Sequence, residues 1–482
     1  VGRGGTEGGC LMELTLRQLA SLLGSQLKGK PDQRSARRRV EICIDSRAMG
    51  PGKVFWALQG EKFDGHDFVG QGFKLGGDAA VVNKEWMDQN GTSAHVYVPV
   101  GDTQEALTAL ARSYAERFRI PKIGVTGSNG KTTTKDMIAA VLRKSGKVLA
   151  TEGNFNNHVG LPLTLFGLRS QHRYAVLEMG MSNPGEIRRL SETAKPGLAV
   201  VTNIGLAHLE TMGSREAIRD EKLSIIGGFP GGRGTLFLNV DDPMLCDFRA
   251  PSKVRVVTFG IERGQIKPAD VKLGADGCAT FRIGRTAFRL PVPGLHNVYN
   301  ALAAIAVGLH LRVPKADIAA ALASFAPPKN RMQVRQVHGV TILDDCYNAN
   351  PTSVRAALAT LAAQEVSGRR VAVLGDMLEL GKESAKLHAE IGHYLVEMGV
   401  NELFTFGDAT RHLNQAARGK GLPRRAAHHF SDFDLMMEEL TATLEPGDAL
   451  LVKGSRGMRL ERVSDTLRQT LRSGSRIGAE RE

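Results

Sequence analysis

Apolar positions along the chain fall into two regimes, and their alternation predicts the fold. Over Ala106–Arg117 they recur every three or four residues, which predicts a helix with one inward face. Short continuous apolar runs at Ile120–Val125, Ala175–Leu177, Ala199–Val201, Thr235–Leu238 and Val254–Phe259 predict buried strands, with amphipathic stretches between them. Strand and helix in alternation predict an α/β domain on a largely parallel sheet. Ala-rich helices are expected at Ala301–Leu311 and Ala316–Ser324, and Ala326-Pro-Pro-Lys329 reads as a linker. A further α/β unit follows, with strands at Val340–Leu343, Arg370–Leu374, Glu402–Phe406 and Ala449–Lys453 and a helix at Ser353–Ala363. Residues 12–104 instead mix short strands and helices around a Gly-rich middle, Gly50–Phe68. The expected architecture is α/β in three domains, 12–104, 105–326 and 327–482. The Gly-rich residues 1–11 are expected to form a disordered tail, with Met12 as the start of the ordered pattern.

At 482 residues the chain is too long for one compact core, which agrees with several domains. The most apolar stretch, Ala301–Val307, is too short to span a membrane and is soon broken by His310 and Arg312. Five cysteines without a Cys-x-x-Cys pair argue against zinc ribbons and disulfide frameworks and suit a reducing cytoplasm. The net charge of +13 is concentrated in runs such as Arg34–Arg39 and Arg424-Arg425. With aromatics at 5%, stacking platforms for single-stranded nucleic acid are scarce, so no nucleic-acid partner is expected.

The strongest chemical signal is Gly124-Val-Thr-Gly-Ser-Asn-Gly-Lys-Thr-Thr-Thr134, between a predicted strand and a predicted helix. A turn of this kind bares backbone N–H groups at a helix N-terminus, where the helix dipole favours phosphate. Thr126, Gly127, Ser128, Asn129, Gly130 and Thr133 would cradle the phosphates, Lys131 would reach the outer ones and the Thr132 hydroxyl would serve Mg²⁺. Strict P-loop spacing asks for glycine at position 125, which is valine here; Gly127 takes its place. Ligands of parallel sheets gather at the carboxyl ends of strands. Tyr174-Ala-Val-Leu-Glu178 delivers Glu178 there, and Leu198–Val201 leads through a short turn to His208. Lys222 lies four residues after Ile218 and shortly before Ile225 and Ile226, on the apolar side of its predicted helix. Either it snorkels, or its amine is held in the site with a depressed pKa.

These elements resemble the Mur ligase family of ATP-dependent amide ligases, whose phosphate loop reads TGxxGKTT as here. Glu152-Gly-Asn-Phe-Asn-Asn-His158, Glu178–Ile187, Asp344-Asp-Cys-Tyr-Asn-Ala-Asn-Pro351 and Leu374-Gly-Asp-Met-Leu-Glu-Leu-Gly381 are similar to the subgroup that joins D-Ala-D-Ala to UDP-MurNAc-tripeptide. The resemblance implies a small N-terminal α/β uridine-nucleotide domain, a central P-loop parallel-sheet ATPase domain and a C-terminal Rossmann-like α/β domain. It implies Lys131, Glu178, His208, Lys222 and Arg331 as catalytic residues. Thr132, Glu178 and His208 would hold Mg²⁺, joined by Lys222 if CO₂ converts it to a carbamate. His296, Asn297 and Asn300 would lie on the adenine side of ATP, with Arg331 and Asp345 reaching ATP from the linker and third domain. Ser46, Arg47, Asn156 and Asn157 would contact the UDP substrate. Asn297 and Asn300 also read as a helix cap and its neighbour, and Lys453-Gly-Ser-Arg456 is a candidate for the dipeptide side.

The implied enzyme is a cytoplasmic monomer without membrane insertion, making an acyl phosphate on a stem peptide that carries L-lysine or meso-diaminopimelate. The alternatives are a tripeptide-forming Mur ligase, a folylpolyglutamate synthase, an inactive nucleotide-binding scaffold and a P-loop ATPase acting on nucleic acid. Tyr347-Asn-Ala-Asn-Pro351 and the Asp45-Ser46-Arg47 string weigh against the first two.

Overall fold

A computed structural model of the chain describes residues 10–29, 38–60 and 62–470. Residues 1–9 of the expected tail and Arg34–Arg37 of the basic run lie outside the described residues. The first strand, Cys10–Thr15, begins inside the segment expected to be disordered. It is held there by antiparallel pairing of Cys10 with Ile42 and Leu11 with Glu41, and Met12 is fully buried.

That strand edges a five-stranded sheet continued by Arg39–Cys43, Lys53–Trp56, Ala79–Asn83 and Tyr97–Val100, all parallel after the first pair. The helix Thr103–Glu116 follows, its N-terminus closed by the Asp102 carboxylate accepting from the Glu105 N–H. Its apolar face, Leu107, Leu110, Ala111 and Tyr114, joins the first sheet to the second unit in one core. The Tyr114 hydroxyl spans that junction, accepting from the Glu13 N–H at 3.0 Å and donating to the Leu168 carbonyl at 2.9 Å.

The second sheet has six parallel strands in the order Val254–Phe259, Gly234–Asn239, Leu198–Val201, Lys122–Thr126, His172–Glu178, Lys147–Ala150. The helix Lys131–Arg143 buries Met137, Ile138, Val141 and Leu142 completely against the helix His296–His310 and the sheet. Each such side chain contributes about 1.5–3 kcal/mol of burial, which fixes the phosphate loop ahead of the helix.

The structure adds an element absent from the sequence expectation. Ala269–Leu273, Cys278–Ile283 and Thr286–Pro293 form a separate antiparallel sheet. Its turn touches the third unit: the Glu365 N–H donates to the Ala275 carbonyl at 3.1 Å, and the Gln364 amide donates to the Asp276 carbonyl at 3.1 Å. The third unit is a six-stranded sheet ordered Gln333–Val337, Val340–Asp344, Ala449–Lys453, Arg370–Gly375, Glu402–Phe406, Ala427–Phe430, parallel except for its first pair. No helix among the described residues is long and apolar enough to cross a membrane.

Candidate active site

The phosphate loop runs from the strand Lys122–Thr126 into the helix Lys131–Arg143. Two glycines permit it. Gly127 has φ +147°, and a β-carbon there would come within 1.9 Å of the Thr202 hydroxyl oxygen; Gly130, at φ +77°, would meet the Asn300 side-chain oxygen at 2.3 Å. Asn203 braces the loop, accepting from the Asn129 N–H at 2.9 Å and donating to the Asn129 carbonyl at 3.0 Å. Lys131 folds back to donate to the Gly127 and Ser128 carbonyls at 2.8 and 3.3 Å. Burial pushes its ammonium below the ordinary lysine value, with the Glu178 carboxylate opposing that shift and Arg331 adding to it.

Glu178 ends its strand at 2% exposure. One carboxylate oxygen accepts from the Asn156 amide at 2.8 Å, whereas the other is buried and has no hydrogen-bond partner. An orphaned anionic oxygen beside a phosphate loop fits a hard cation, which prefers oxygen donors and shares its coordination with phosphates and water. Among the described residues no three His, Cys, Asp or Glu side chains form a closed metal cage, so any magnesium site here is an open one. His208 sits at φ +62° and pairs through Nδ1 with the Glu379 carboxylate at 2.6 Å.

Lys222 is 1% exposed and makes no hydrogen bond or ion pair among the described residues, so it does not snorkel. Burial first, then repulsion from Lys131, depresses its pKa well below the lysine value, with Glu221 pulling the other way. Glu221 does not neutralise it closely, because its oxygens accept from the Gly185 and Ile187 N–H groups at 2.8 and 2.7 Å.

The third unit reaches this loop directly. Asn350, which caps the helix Pro351–Ala362, donates to the Asn129 side-chain oxygen at 2.7 Å. Asp345 and Lys453 leave adjacent parallel strands and pair at 2.6 Å. The Lys453 ammonium also donates to the Asn348 carbonyl at 3.0 Å. Lys453 is 2% exposed, so this residue of the candidate dipeptide-side string is buried in the third unit. Replacing it (Lys453→Met) leaves the part-exposed Asp345 carboxylate the Met332 N–H at 3.1 Å, and we expect a loss of about 1–3 kcal/mol in unfolding free energy, measurable by urea titration. The Arg331 guanidinium lies 3.9 Å over the Tyr347 ring, and Arg456 approaches the same ring at 5.5 Å.

On the remaining side, Asn300 accepts from the Thr134 hydroxyl at 3.1 Å and donates to Asn297 at 3.0 Å. Asn297 is not a cap: the capping position is Leu295, and the Asn297 amide donates to the Pro293 carbonyl at 2.8 Å. Burial pushes the adjacent His296 imidazole down, against the attraction of Asp345.

One cleft of about 750 Å³ is lined by Ser128–Thr133, Asn156, Asn157, Glu178, His208, His296, Asn297, Asn300, Arg331 and Asp345. Thr126, Gly127 and Lys222, also expected in the site, are not part of its lining. Ser46 and Arg47 do not line it. Ser46 donates to Gln71 at 3.0 Å and Arg47 pairs with Asp45 on the first sheet. Asn157, two residues before the capping position Val159, accepts from the Gly160 N–H at 2.8 Å at the start of the helix Gly160–Phe166. The cleft also contains Asp241, Asp242 and Tyr299, which the sequence reading passed over, and Tyr347 and Asn350, whose string it used only for the resemblance and gave no site role. Asp241 and Asp242 follow the strand Gly234–Asn239, so the strand-end search that found Glu178 would have reached them.

The comparisons with known proteins agree with this geometry. Residues 40–115 match the Mur ligase family, catalytic domain; residues 125–308 match the Mur ligase middle domain; and residues 330–456 match the Mur ligase, glutamate ligase domain. A UDP-N-acetylmuramoyl-tripeptide–D-alanyl-D-alanine ligase of Bacillus subtilis is 38% identical, over 88% of this chain and 92% of its own. This chain belongs to the Mur ligase family. Another ligase of the same name, from Escherichia coli, is 32% identical over 95% of this chain and 99% of its own. Among solved Mur ligases, MurF from Acinetobacter baumannii superposes with a TM-score of 0.85 at 31% identity, covering 95% of this chain and 99% of that one. MurF of Thermotoga maritima, solved with ADP, gives 0.79 at 29% identity, covering 90% and 99%. The Mur ligase assignment bears out the α/β three-domain fold and the ATP-dependent ligase chemistry expected from the motifs, and the ADP complex of the Thermotoga maritima relative agrees with the expected nucleotide binding.

Proposed function

We propose that the chain joins D-alanyl-D-alanine to the terminal carboxylate of UDP-N-acetylmuramoyl-tripeptide, giving the pentapeptide precursor of peptidoglycan, ADP and phosphate. It would act as a cytoplasmic monomer. The observation that carries the reading is the single cleft in which a phosphate loop, an orphaned carboxylate oxygen and the Arg331–Tyr347 pair of the third unit face one another. The domains follow: residues 12–104 receive the uridine nucleotide through Ser46 and Arg47, 105–326 bind ATP, and 327–482 complete the site. Asn157 meets the UDP substrate from the central unit, and Asn156 joins it while holding Glu178.

A carboxylate is a poor electrophile because its charge repels the attacking amine and oxide does not leave. Its oxygen therefore attacks the γ-phosphorus of ATP, and the bond to the ADP oxygen breaks. The dipeptide amine adds to the resulting acyl phosphate and loses a proton, and phosphate departs with its bonding electrons. The chain contributes position and charge. The N–H groups from Ser128 to Thr133 hold the phosphates. Lys131 turns from its loop carbonyls to the outer phosphate, whose charge stabilises its ammonium. Arg331 leaves the Tyr347 face to neutralise the same region. His296, Asn297 and Asn300 seat the adenine side, and Asp345 is locked by Lys453. A magnesium ion, when bound, supplies further positive charge at the phosphates. Thr132, Glu178, His208 and a carbamylated Lys222 would hold it.

Phosphate release from ATP is expected only when both UDP-tripeptide and D-Ala-D-Ala are present, measured with L-lysine and meso-diaminopimelate tripeptides side by side. Equal turnover with either substrate omitted would sink this function.

A further inference from the structure

The Leu374–Gly381 motif lies in the third unit, and the chemistry above gives it no role. Its Glu379 reaches across to the central unit and meets His208 Nδ1 at 2.6 Å. Both residues are in the left-handed region, Glu379 at φ +63° and His208 at φ +62°. Neither is glycine, so each conformation costs about 1–3 kcal/mol and must be held by its surroundings. The surroundings are specific. The Glu210 N–H donates to the Glu379 carbonyl at 3.3 Å. Leu206 packs against the core of the third unit, and a β-carbon at Gly205 would stand 3.2 Å from the Thr352 hydroxyl. The segment 205–210 is thus a finger of the central unit seated on the third.

The pairing fixes which nitrogen of the imidazole is free. With Nδ1 turned to the Glu379 carboxylate, Nε2 is the ring nitrogen left for the cleft that His208 lines together with Thr132 and Glu178.

We propose that Glu379 is a positioning residue for metal binding: it orients His208 from the third unit, so that the metal site is complete only when the two units are together. A carboxylate behind a ligating histidine raises the basicity of the ring and fixes its direction. This inference rests on the reading of His208 as a metal ligand.

The test uses the full chain with Mn²⁺ and ADP, reading bound Mn²⁺ by electron paramagnetic resonance and metal-free ADP affinity by calorimetry. Glu379→Ala is expected to weaken Mn²⁺ binding about tenfold while leaving metal-free ADP affinity unchanged. Glu379→Gln, which keeps the acceptor oxygen, recovers most of that loss. In a His208→Ala background, Glu379→Ala has no further effect. Unchanged Mn²⁺ affinity in Glu379→Ala, or an equal additional loss in the His208→Ala background, would overturn the proposal while the histidine reading stands. Full Mn²⁺ affinity in His208→Ala alone would overturn both.

Discussion

Lys131→Ala is expected to lower kcat by about 10²–10³-fold in a protein that stays folded. The lysine is the first residue of the helix Lys131–Arg143, and its ammonium bonds only to the loop carbonyls of Gly127 and Ser128. Those bonds satisfy the charge without a carboxylate partner, so it can turn to an incoming phosphate at little cost. Burial acts against its charged form by more than the nearby Glu178 carboxylate supports it, and Arg331 adds to the deficit. A triphosphate reverses that balance, and the interaction is strongest where negative charge accumulates during phosphoryl transfer. The loss should therefore fall on kcat more than on KM for ATP. Phosphate-release kinetics together with a thermal unfolding midpoint decide the matter. A fall of less than tenfold in a folded variant would remove Lys131 from the reacting phosphates.

Lys222→Met is expected to cost about 10²-fold in kcat and, in contrast, to raise stability. The buried lysine has no hydrogen bond or ion pair among the described residues, and methionine keeps its unbranched stem without the amine. Because the folded pKa lies well below the unfolded one, the unfolded chain binds a proton that the folded chain sheds. The lysine therefore costs stability at pH values below its unfolded pKa, and that cost shrinks as the pH rises toward it. The stabilisation from Lys222→Met should shrink in parallel, which urea titrations from pH 6 upward would follow. The same lowering of its pKa raises the share of free amine, which can attack CO₂, forming an N–C bond and releasing a proton. The resulting carbamate is anionic, so its interaction with Lys131 changes from repulsion to attraction. Enzyme incubated with ¹³C-bicarbonate should show a carbamate carbon resonance that Lys222→Met lacks. Identical spectra with unchanged turnover would leave the lysine a structural residue.

The two predictions differ in how plainly the sequence announced them. The phosphate loop was legible because glycines and a helix start are local facts, and Glu178 because strand ends collect ligands. The helix expected at Ala301–Leu311 in fact begins at His296. The polar residues of its first turn interrupt the apolar spacing because they face the cleft. The antiparallel sheet was missed although its middle strand alternates buried and exposed residues. Its tight turns at Asp276-Gly277 and Gly284 were absorbed into the surrounding α/β rhythm. Pairings such as Asn129 with Asn350, His208 with Glu379 and Asp345 with Lys453 join residues far apart in sequence. No periodicity encodes them, because the first two exist only once the second and third units have docked and the last only once distant strands of the third sheet have paired. Ser46 and Arg47 illustrate the converse: their string was recognisable, but it sits on the first sheet, outside the central cleft.

The strut between the antiparallel sheet and the third unit constrains how the enzyme can breathe. Ala275 and Asp276 hold Glu365 and Gln364 by two hydrogen bonds, while the chain itself crosses between the units near Pro327 and Pro328. A straight separation of the units would break both bonds, at about 0.5–1.5 kcal/mol each. A swing about an axis through the strut and the crossing keeps them. Substrates should therefore enter as between the covers of a book, with the wide gap on the side away from that spine.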